Sequence, residues 1–298
     1  MVGEVISVGR INIDIDLRMK KLPEPNDHTI CDSGQVGFGG SASNFASQCA
    51  RLGLKTSLFS CVGNDDYGSL ALKEIGKRGV DTSNVMVLDN QPTGIFVMAR
   101  DSTGDSFIMA EPGANRFVDK RVFEDDSIAE AQVMHIAGAF PMMIDRAMEF
   151  TSTYGMVLSL DPGRAAARLD YERILKNTDL LFVNEYELKE YFAITAKEHN
   201  LKKLAKTFPG VLVLKRGKMG AIATDGFEIV NSKIFEVEVA DTMGAGDAFA
   251  GGFVTAWTRA EDIATALHFA NAVAALTITS PGAQNGQPTL EETEKLLR

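Results

Sequence analysis

Short, uninterrupted apolar runs separated by helical patterns recur through this chain, and they restrict its fold more than any other feature. Residues 5–8, 56–62, 133–136, 156–160, 180–183 and 211–214 read as strands, and two of these, Leu-Leu-Phe-Val and Val-Leu-Val-Leu, hold no polar side chain at all. A strand without polar alternation is covered on both faces, which is the condition of a parallel sheet. Parallel neighbours need a long crossover, usually a helix. Residues 41–52, 67–78 and 144–153 supply such helices. The expected fold is α/β: a doubly wound, mostly parallel sheet flanked by helices.

Two stretches interrupt this rhythm. Residues 15–37 contain Pro23 and Pro25 and alternate with period two, and residues 87–110 do the same around a turn at Ser102-Thr103-Gly104-Asp105. Both leave the core and return to it, so they are expected to pair as a small antiparallel β lid on a core made of residues 1–14, 38–86 and 111–298. A hairpin is expected over residues 221–237, with turns at Asp225-Gly226 and Asn231-Ser232, followed by long helices over 245–258 and 260–279.

The chain of 298 residues carries a formal net charge of −10. An acidic surface repels nucleic acid and anionic membranes, so neither is an expected partner. The residues Cys31, Cys49 and Cys61 are odd in number and lack metal-ligand spacing, as befits reduced thiols. The first residues read as a strand with an acid in it, no signal peptide is visible, and no run has transmembrane length. A soluble, cytoplasmic protein is expected.

Function is best sought at Asp241-Thr242-Met243-Gly244-Ala245-Gly246-Asp247, just ahead of an apolar helix. Small residues let a ligand approach the backbone, and the helix start offers unpaired amides and a positive dipole end. That is an anion cradle with one carboxylate, Asp247, at its mouth, an arrangement suited to phosphoryl transfer onto a hydroxyl. A capped helix with tight packing would carry the same letters.

Other motifs have two readings each. The run Gly37-Phe38-Gly39-Gly40-Ser41-Ala42 matches a dinucleotide fingerprint by letter, but no buried strand precedes it, so a nicotinamide site is rejected. Gly39, Gly40 and Asn44 then serve either packing or a small ligand. Asn12 and Asp14 follow the first strand with a gap of one, point the same way and suit vicinal sugar hydroxyls; equally they suit a turn and a solvated acid. Asn184 and Glu187 form a helix cap, or sit near an ATP-bound Mg²⁺ through water. Arg164 after Asp161-Pro162-Gly163 reaches a phosphate or a surface acid, and His135 reads as a core residue.

Taken in order, Asn12-Ile13-Asp14, Gly39-Gly40 with Asn44, Pro112-Gly113-Ala114-Asn115, Asn184-x-x-Glu187, Lys215-Arg216-Gly217 with Gly220, the Asp241–Asp247 motif and Ser280-Pro281-Gly282-Ala283 cover nearly the whole chain. The series resembles the ribokinase-type (PfkB) family of carbohydrate and nucleoside kinases. The resemblance implies an ATP-dependent kinase with a ribokinase-like core and β lid. It implies Asp247 as the base that deprotonates the acceptor hydroxyl, and the amides of Gly244, Ala245 and Gly246 as the anion hole. Asn12, Asp14, Gly39, Gly40 and Asn44 would hold the acceptor. Asn184 and Glu187 would organise Mg²⁺ and the phosphates, with Arg216, Gly217 and Asn271 along the nucleotide. It also implies a monovalent cation, typically potassium, at Asp241, and a homodimer formed through the lids. Ribokinases usually carry lysine after the Gly-Gly pair, where this chain has Ser41. Asp161-Pro162-Gly163 is similar to archaeal-type nucleoside kinases, whereas Asn12 and Gly113-Ala114-Asn115 are ribokinase-like. A ribose-like sugar is the leading acceptor and a nucleoside the alternative; a non-catalytic sugar- or nucleotide-binding protein is the rival from another class.

Overall fold

In the computed structural model, which describes residues 4–120, 126–164 and 166–298, the central sheet is built as the apolar runs require. Its strands lie in the order Ile229–Ser232, Ala221–Thr224, Val211–Lys215, Leu180–Asn184, Val157–Asp161, Val133–Ala137, Val5–Gly9, Thr56–Gly63 and Val80–Asp81. Pairing is parallel from Val211–Lys215 to Val80–Asp81, and the final hairpin adds two antiparallel strands at one edge.

Alternate side chains of each strand enter different cores. Ile6, Val8, Met134, Ile136, Leu158, Leu181 and Leu212 pack beneath the helix Pro141–Tyr154 and its neighbours. Val5, Val133, Leu180, Phe182, Val211 and Val213 pack against Ser41–Arg51, Ala245–Thr258 and Ile263–Thr277 on the opposite face. Burial on both faces is why these runs carry so little polar alternation.

Val5–Gly9 has Thr56–Gly63 on one side and Val133–Ala137 on the other, so the strand order reverses beside it. In an open α/β sheet, the crevice beyond the carboxyl ends at such a reversal is where ligands bind. Here those ends are formed by Gly9, Ala137, Asp161, Asn184 and Lys215.

A second sheet, of four strands, runs Ser33–Gly39, Asn12–Met19, Gly94–Asp101, Ser106–Glu111. Its two outer pairings are antiparallel, and the central one is parallel because both ribbons leave the core in the same sense. The strand boundaries differ from the sequence expectation at three places. Asn12–Met19 takes in the Asn12/Asp14 pair, and Ser33–Gly39 runs into the first glycine of the Gly39-Gly40 pair. Val85–Leu88, whose last two residues fall in the expected lid segment, instead pairs parallel with Thr56–Gly63 of the core. The turn expected at Asn231-Ser232 is absent, since both residues pair with Ile222 and Ala221.

Among the described residues, no helix is long and apolar enough to cross a membrane. Cys49 and Cys61 are buried and Cys31 is half-buried.

Candidate active site

The helix Ala245–Thr258 starts at the carboxyl edge of the sheet because its apolar face, Phe249 and Phe253 among others, is buried against Phe45, Phe182 and Leu267. Gly244 caps it with φ 74 and without a side-chain hydrogen bond. A Cβ at Gly244 would stand 2.4 Å from the Ala283 carbonyl oxygen, so only glycine fits this turn. The Ala245 amide donates to Thr242 at 3.3 Å and the Ala248 amide to Gly244 at 2.9 Å. Among the described residues, no acceptor meets the amides of Gly246 and Asp247, which leaves two donors at a helix N-terminus.

Asp247 lies in the first turn, half-buried. Its Oδ2 accepts from Asn44 Nδ2 at 2.8 Å, across 203 residues of sequence. The orientation of the Asn44 amide follows from its own network: Oδ1 accepts from Gln284 Nε2 at 3.0 Å, and Gln284 also donates to Ser43 Oγ. Burial and the nearby charge of Asp161 push the Asp247 carboxyl up to about 7, against the opposing pull of Asn44, Lys215 and Ser41.

Asp14 joins the same field. Burial, then the charges of Asp247 and Asp241, push its carboxyl up to about 7 as well. A Cβ at Gly39 would stand 1.9 Å from Asp14 Oδ2, so that glycine lets the carboxylate lie against the chain. Asn12 is fixed by Asn115, whose Nδ2 donates to Asn12 Oδ1 and to the Ile11 carbonyl, both at 2.9 Å. Asp14, of the pair after the first strand, and Asp247, of the late glycine turn, therefore lie near enough for their charges to act on each other.

Lys215 had been noted in the sequence without a role. Its ammonium ends beside the cradle, 3.6 Å from where a Cβ on Gly246 would stand, and it forms an ion pair with Asp161. Burial alone would lower its pKa, but Asp161, Glu187 and Asp247 together hold it above the usual lysine value. One half-buried cation thus faces three acids. Its position at the carboxyl end of an apolar strand was legible from the sequence by the rule that drew attention to Asn12.

Asn184 and Glu187 form a reciprocal capping box: Asn184 Oδ1 accepts from the Glu187 amide, and Glu187 Oε2 from the Asn184 amide, each at 2.9 Å. Glu187 is buried, and burial together with Asp161 raises its pKa in spite of Lys215. Arg216 Nε donates to Glu185 at 3.0 Å, and Gly217 beside it leaves open backbone, with nothing within 4 Å of a notional Cβ. Asn271 is occupied elsewhere. Its Nδ2 donates to the carbonyls of Ser232 and Lys233, both at 3.2 Å, tying the edge hairpin to the helix Ile263–Thr277. Arg164 is exposed over the Tyr186 ring, and buried His135 stacks on Phe45 at 3.7 Å, its pKa pushed down to about 3 by burial and Lys215.

At Asp241 the structure supplies a cation from the protein itself. Arg100, from the four-stranded sheet, reaches Asp241 Oδ1 at 3.2 Å and lies 3.4 Å from Asp16. Burial would raise the Asp241 carboxyl, but donation from the Gly282 and Met243 amides and the Arg100 charge outweigh it and hold the pKa low. Nothing in the spacing of the sequence links Arg100 to Asp241, because a strand register and a loop must both be known.

The family model described as "pfkB family carbohydrate kinase" matches residues 2–290. A relative from Halopiger xanaduensis, an ATP-dependent ribose-1-phosphate kinase, is 31% identical over 98% of this chain and 97% of its own length. A nucleoside kinase of Methanothermobacter thermautotrophicus is 30% identical over 98% of this chain and 94% of its own. The structure of Arabidopsis thaliana ribokinase complexed with ribose and ATP superimposes with a TM-score of 0.90 at 26% identity, covering 100% of this chain and 99% of that one.

Proposed function

The chain belongs to the pfkB family of carbohydrate kinases and is a sugar or nucleoside kinase, and from that premise we propose that it moves the γ-phosphoryl group of ATP onto a hydroxyl of a ribose-like acceptor, with Asp247 as general base. The observation that carries this reading is the 2.8 Å contact between Asn44 and Asp247, which joins the acceptor-side helix to the anion cradle. A carboxylate raised to about 7 is a stronger base than an ordinary aspartate and is about half ionised near neutrality.

In this scheme Asn12, Asp14, Gly39, Gly40 and Asn44 line the acceptor side. The acceptor oxygen attacks the γ-phosphorus, its proton passes to Asp247, and the bond to the bridging oxygen of ADP breaks. The open amides of Gly246 and Asp247 face the charge that develops on the transferred group, with Gly244 shaping the turn and the Ala245 amide already held by Thr242. Lys215 adds a positive charge on the same side. Arg216 and Gly217 lie toward the nucleotide, whereas Asn271 supports the hairpin that borders it.

Among the described residues, no cluster of three or more acids, histidines or cysteines could hold a metal directly. That donor set fits Mg²⁺ kept mostly by water and phosphate oxygens, with Glu187 and Asp161 in its outer shell. When bound, Mg²⁺ neutralises phosphate charge.

The four-stranded sheet is proposed as the lid over this cleft, and its outer strand Ser106–Glu111 exposes Phe107, Ile108 and Met109, a surface suited to a homodimer. A nucleoside acceptor is the second reading, supported by the similarity to a nucleoside kinase. A coupled ADP-release screen over ribose, fructose, 2-keto-3-deoxygluconate, adenosine, cytidine and inosine separates these readings. ADP release with none of them above the rate without acceptor would count against a sugar or nucleoside hydroxyl as the target.

A further inference from the structure

Residues 280–288 form a run without a single charge, Ser-Pro-Gly-Ala-Gln-Asn-Gly-Gln-Pro, between the helices Ile263–Thr277 and Leu290–Leu297. This turn meets the site at three places. The Gly282 amide donates to Asp241 Oδ2 at 3.0 Å, the Ala283 carbonyl stands where a Cβ on Gly244 would go, and Gln284 Nε2 donates to Asn44 Oδ1 at 3.0 Å. Two arginines hold its main chain: Arg78 Nη1 donates to the Gln284 carbonyl at 2.9 Å, and Arg51 Nε to the Gln287 carbonyl at 2.6 Å. With the backbone tied down, both glutamine side chains reach the helix Ser41–Arg51, whose buried residues include Ser43, Asn44, Ser47 and Gln48.

The buried amides of this contact are not used alike. Gln48 Nε2 donates to the Pro288 carbonyl at 2.9 Å and Gln287 Nε2 to the Asn44 carbonyl at 2.7 Å, while among the described residues the Oε1 of each has no partner. Gln284 uses both ends. Its Nε2 donates to Ser43 Oγ at 2.8 Å as well as to Asn44 Oδ1, and its Oε1 accepts from Ser47 Oγ at 3.5 Å. A buried polar network with every end matched specifies one arrangement, because the alternatives leave a group unpaired. Asn44 would fill the same space with its amide turned half about, but its Oδ1 would then face the oxygens of Asp247. The donor on Gln284 selects against that arrangement, since it must meet an oxygen.

We propose that Gln284 is a positioning residue for phosphoryl transfer: it holds the Asn44 amide with its nitrogen toward Asp247 and so aims the carboxylate of the proposed base. The inference rests on the kinase reading above and extends it to a residue that acts on Asp247 only through Asn44. The charged groups that act on Asp247 are Asp161, Lys215 and Asp14, from three different strands, and none lies in the turn. An apolar residue at Gln284 therefore leaves the charge of the site alone and removes one hydrogen-bond partner.

The test follows the acid limb of kcat/KM in a coupled ADP-release assay for wild type, Gln284→Met, Gln287→Met, Asn44→Leu and the double variant Asn44→Leu/Gln284→Met. Gln284→Met should move the limb up by about one pH unit, as for one lost hydrogen bond to the ionised form, and lower kcat/KM at pH 7 about 5-fold. Gln287→Met removes a bond from the same turn to the Asn44 main chain, so it should lower Tm and leave the limb in place. The double variant should show the shift of Asn44→Leu and no more, because Gln284 has no other route to Asp247. An unmoved limb in Gln284→Met, an equal move in Gln287→Met, or shifts that add in the double variant would each overturn the proposal. Should Gln284→Met fail to fold by circular dichroism, Gln284→Asn, one methylene short of Asn44, carries the comparison. If wild type releases no ADP with any sugar or nucleoside, the kinase reading falls, and the Asp247 carboxyl is titrated instead by ¹³C NMR, its signal identified by its loss in Asp247→Asn. A midpoint displaced upward in Gln284→Met supports the positioning role; an unchanged midpoint refutes it.

Discussion

The side-chain amide of Asn44 donates to the carboxylate of Asp247 at 2.8 Å, bridging the first core helix and the late glycine turn. Gln284 holds the other end of the Asn44 amide, so the donor has one orientation. With Asp247 as the base, Asp247→Asn should slow turnover by roughly 10²–10⁴-fold while ATP binding, measured by calorimetry, is retained. A variant with near-normal kcat would remove Asp247 from that role.

The pH profile should report the same carboxyl. Asp247 is raised to about 7 and acts when ionised, so kcat/KM should fall as pH drops through that value. Asp14 titrates in the same range beside it, and the acid limb belongs to the pair. Asn44→Leu removes a hydrogen bond that favours the ionised form, and Lys215→Met removes a cation that does the same; each should move the limb to higher pH. Lys215→Met should also destabilise by about 3 kcal/mol, because it leaves the buried Asp161 and Glu187 without their cation. An unmoved limb in both variants would show that another group controls the rate.

Stability should run opposite to activity at this position. The folded-state pKa of Asp247 lies above the ordinary aspartate value, so ionisation favours the unfolded chain. The resulting penalty is absent well below the unfolded value, grows as pH rises from there to about 7, and is complete above it. Asp247→Asn should therefore raise Tm at pH 8 and raise it less at pH 5, in scans run at both values. A lower Tm at pH 8 would contradict the assigned strain.

Gly244 has a backbone cause for its identity, a φ of 74 together with the Ala283 carbonyl 2.4 Å from any Cβ. Gly244→Ala should cost on the order of 1–3 kcal/mol from the left-handed backbone alone, seen as a lower Tm. Because the turn aims the Gly246 and Asp247 amides, kcat should fall with it. Loss of stability with full activity would separate the turn from the anion hole.

Much of this was legible in the sequence. Runs such as 180–183 and 211–214 could only be doubly covered strands, and the sheet is built from them. The gap of one between Asn12 and Asp14 puts both on one face of the strand Asn12–Met19. What the letters could not carry was pairing between distant segments. Val85–Leu88 has the same β pattern as the ribbon after it, and only packing space beside Thr56–Gly63 assigns it to the core. Asn184 and Glu187 turned out to be a capping box in full, a use that does not exclude proximity to phosphate. Lys215 was given no role because a basic residue after a strand looks the same whether it meets solvent or a cleft.

Arg100 bears on the cation expected at Asp241. Its guanidinium already lies 3.2 Å from Asp241 Oδ1 and brings the four-stranded sheet to the loop that precedes the cradle. This protein-borne charge is expected to take the place of a potassium ion at that carboxylate. Wild-type turnover should then be the same in potassium chloride and in choline chloride at equal ionic strength. Arg100→Met leaves Asp241 with only the amides of Gly282 and Met243. That variant should lose activity in choline chloride and regain part of it as potassium is added. The coupled assay across a potassium titration reads both. An equal potassium requirement in wild type and variant would return the charge at Asp241 to an added ion and reduce Arg100 to a tie between the two sheets.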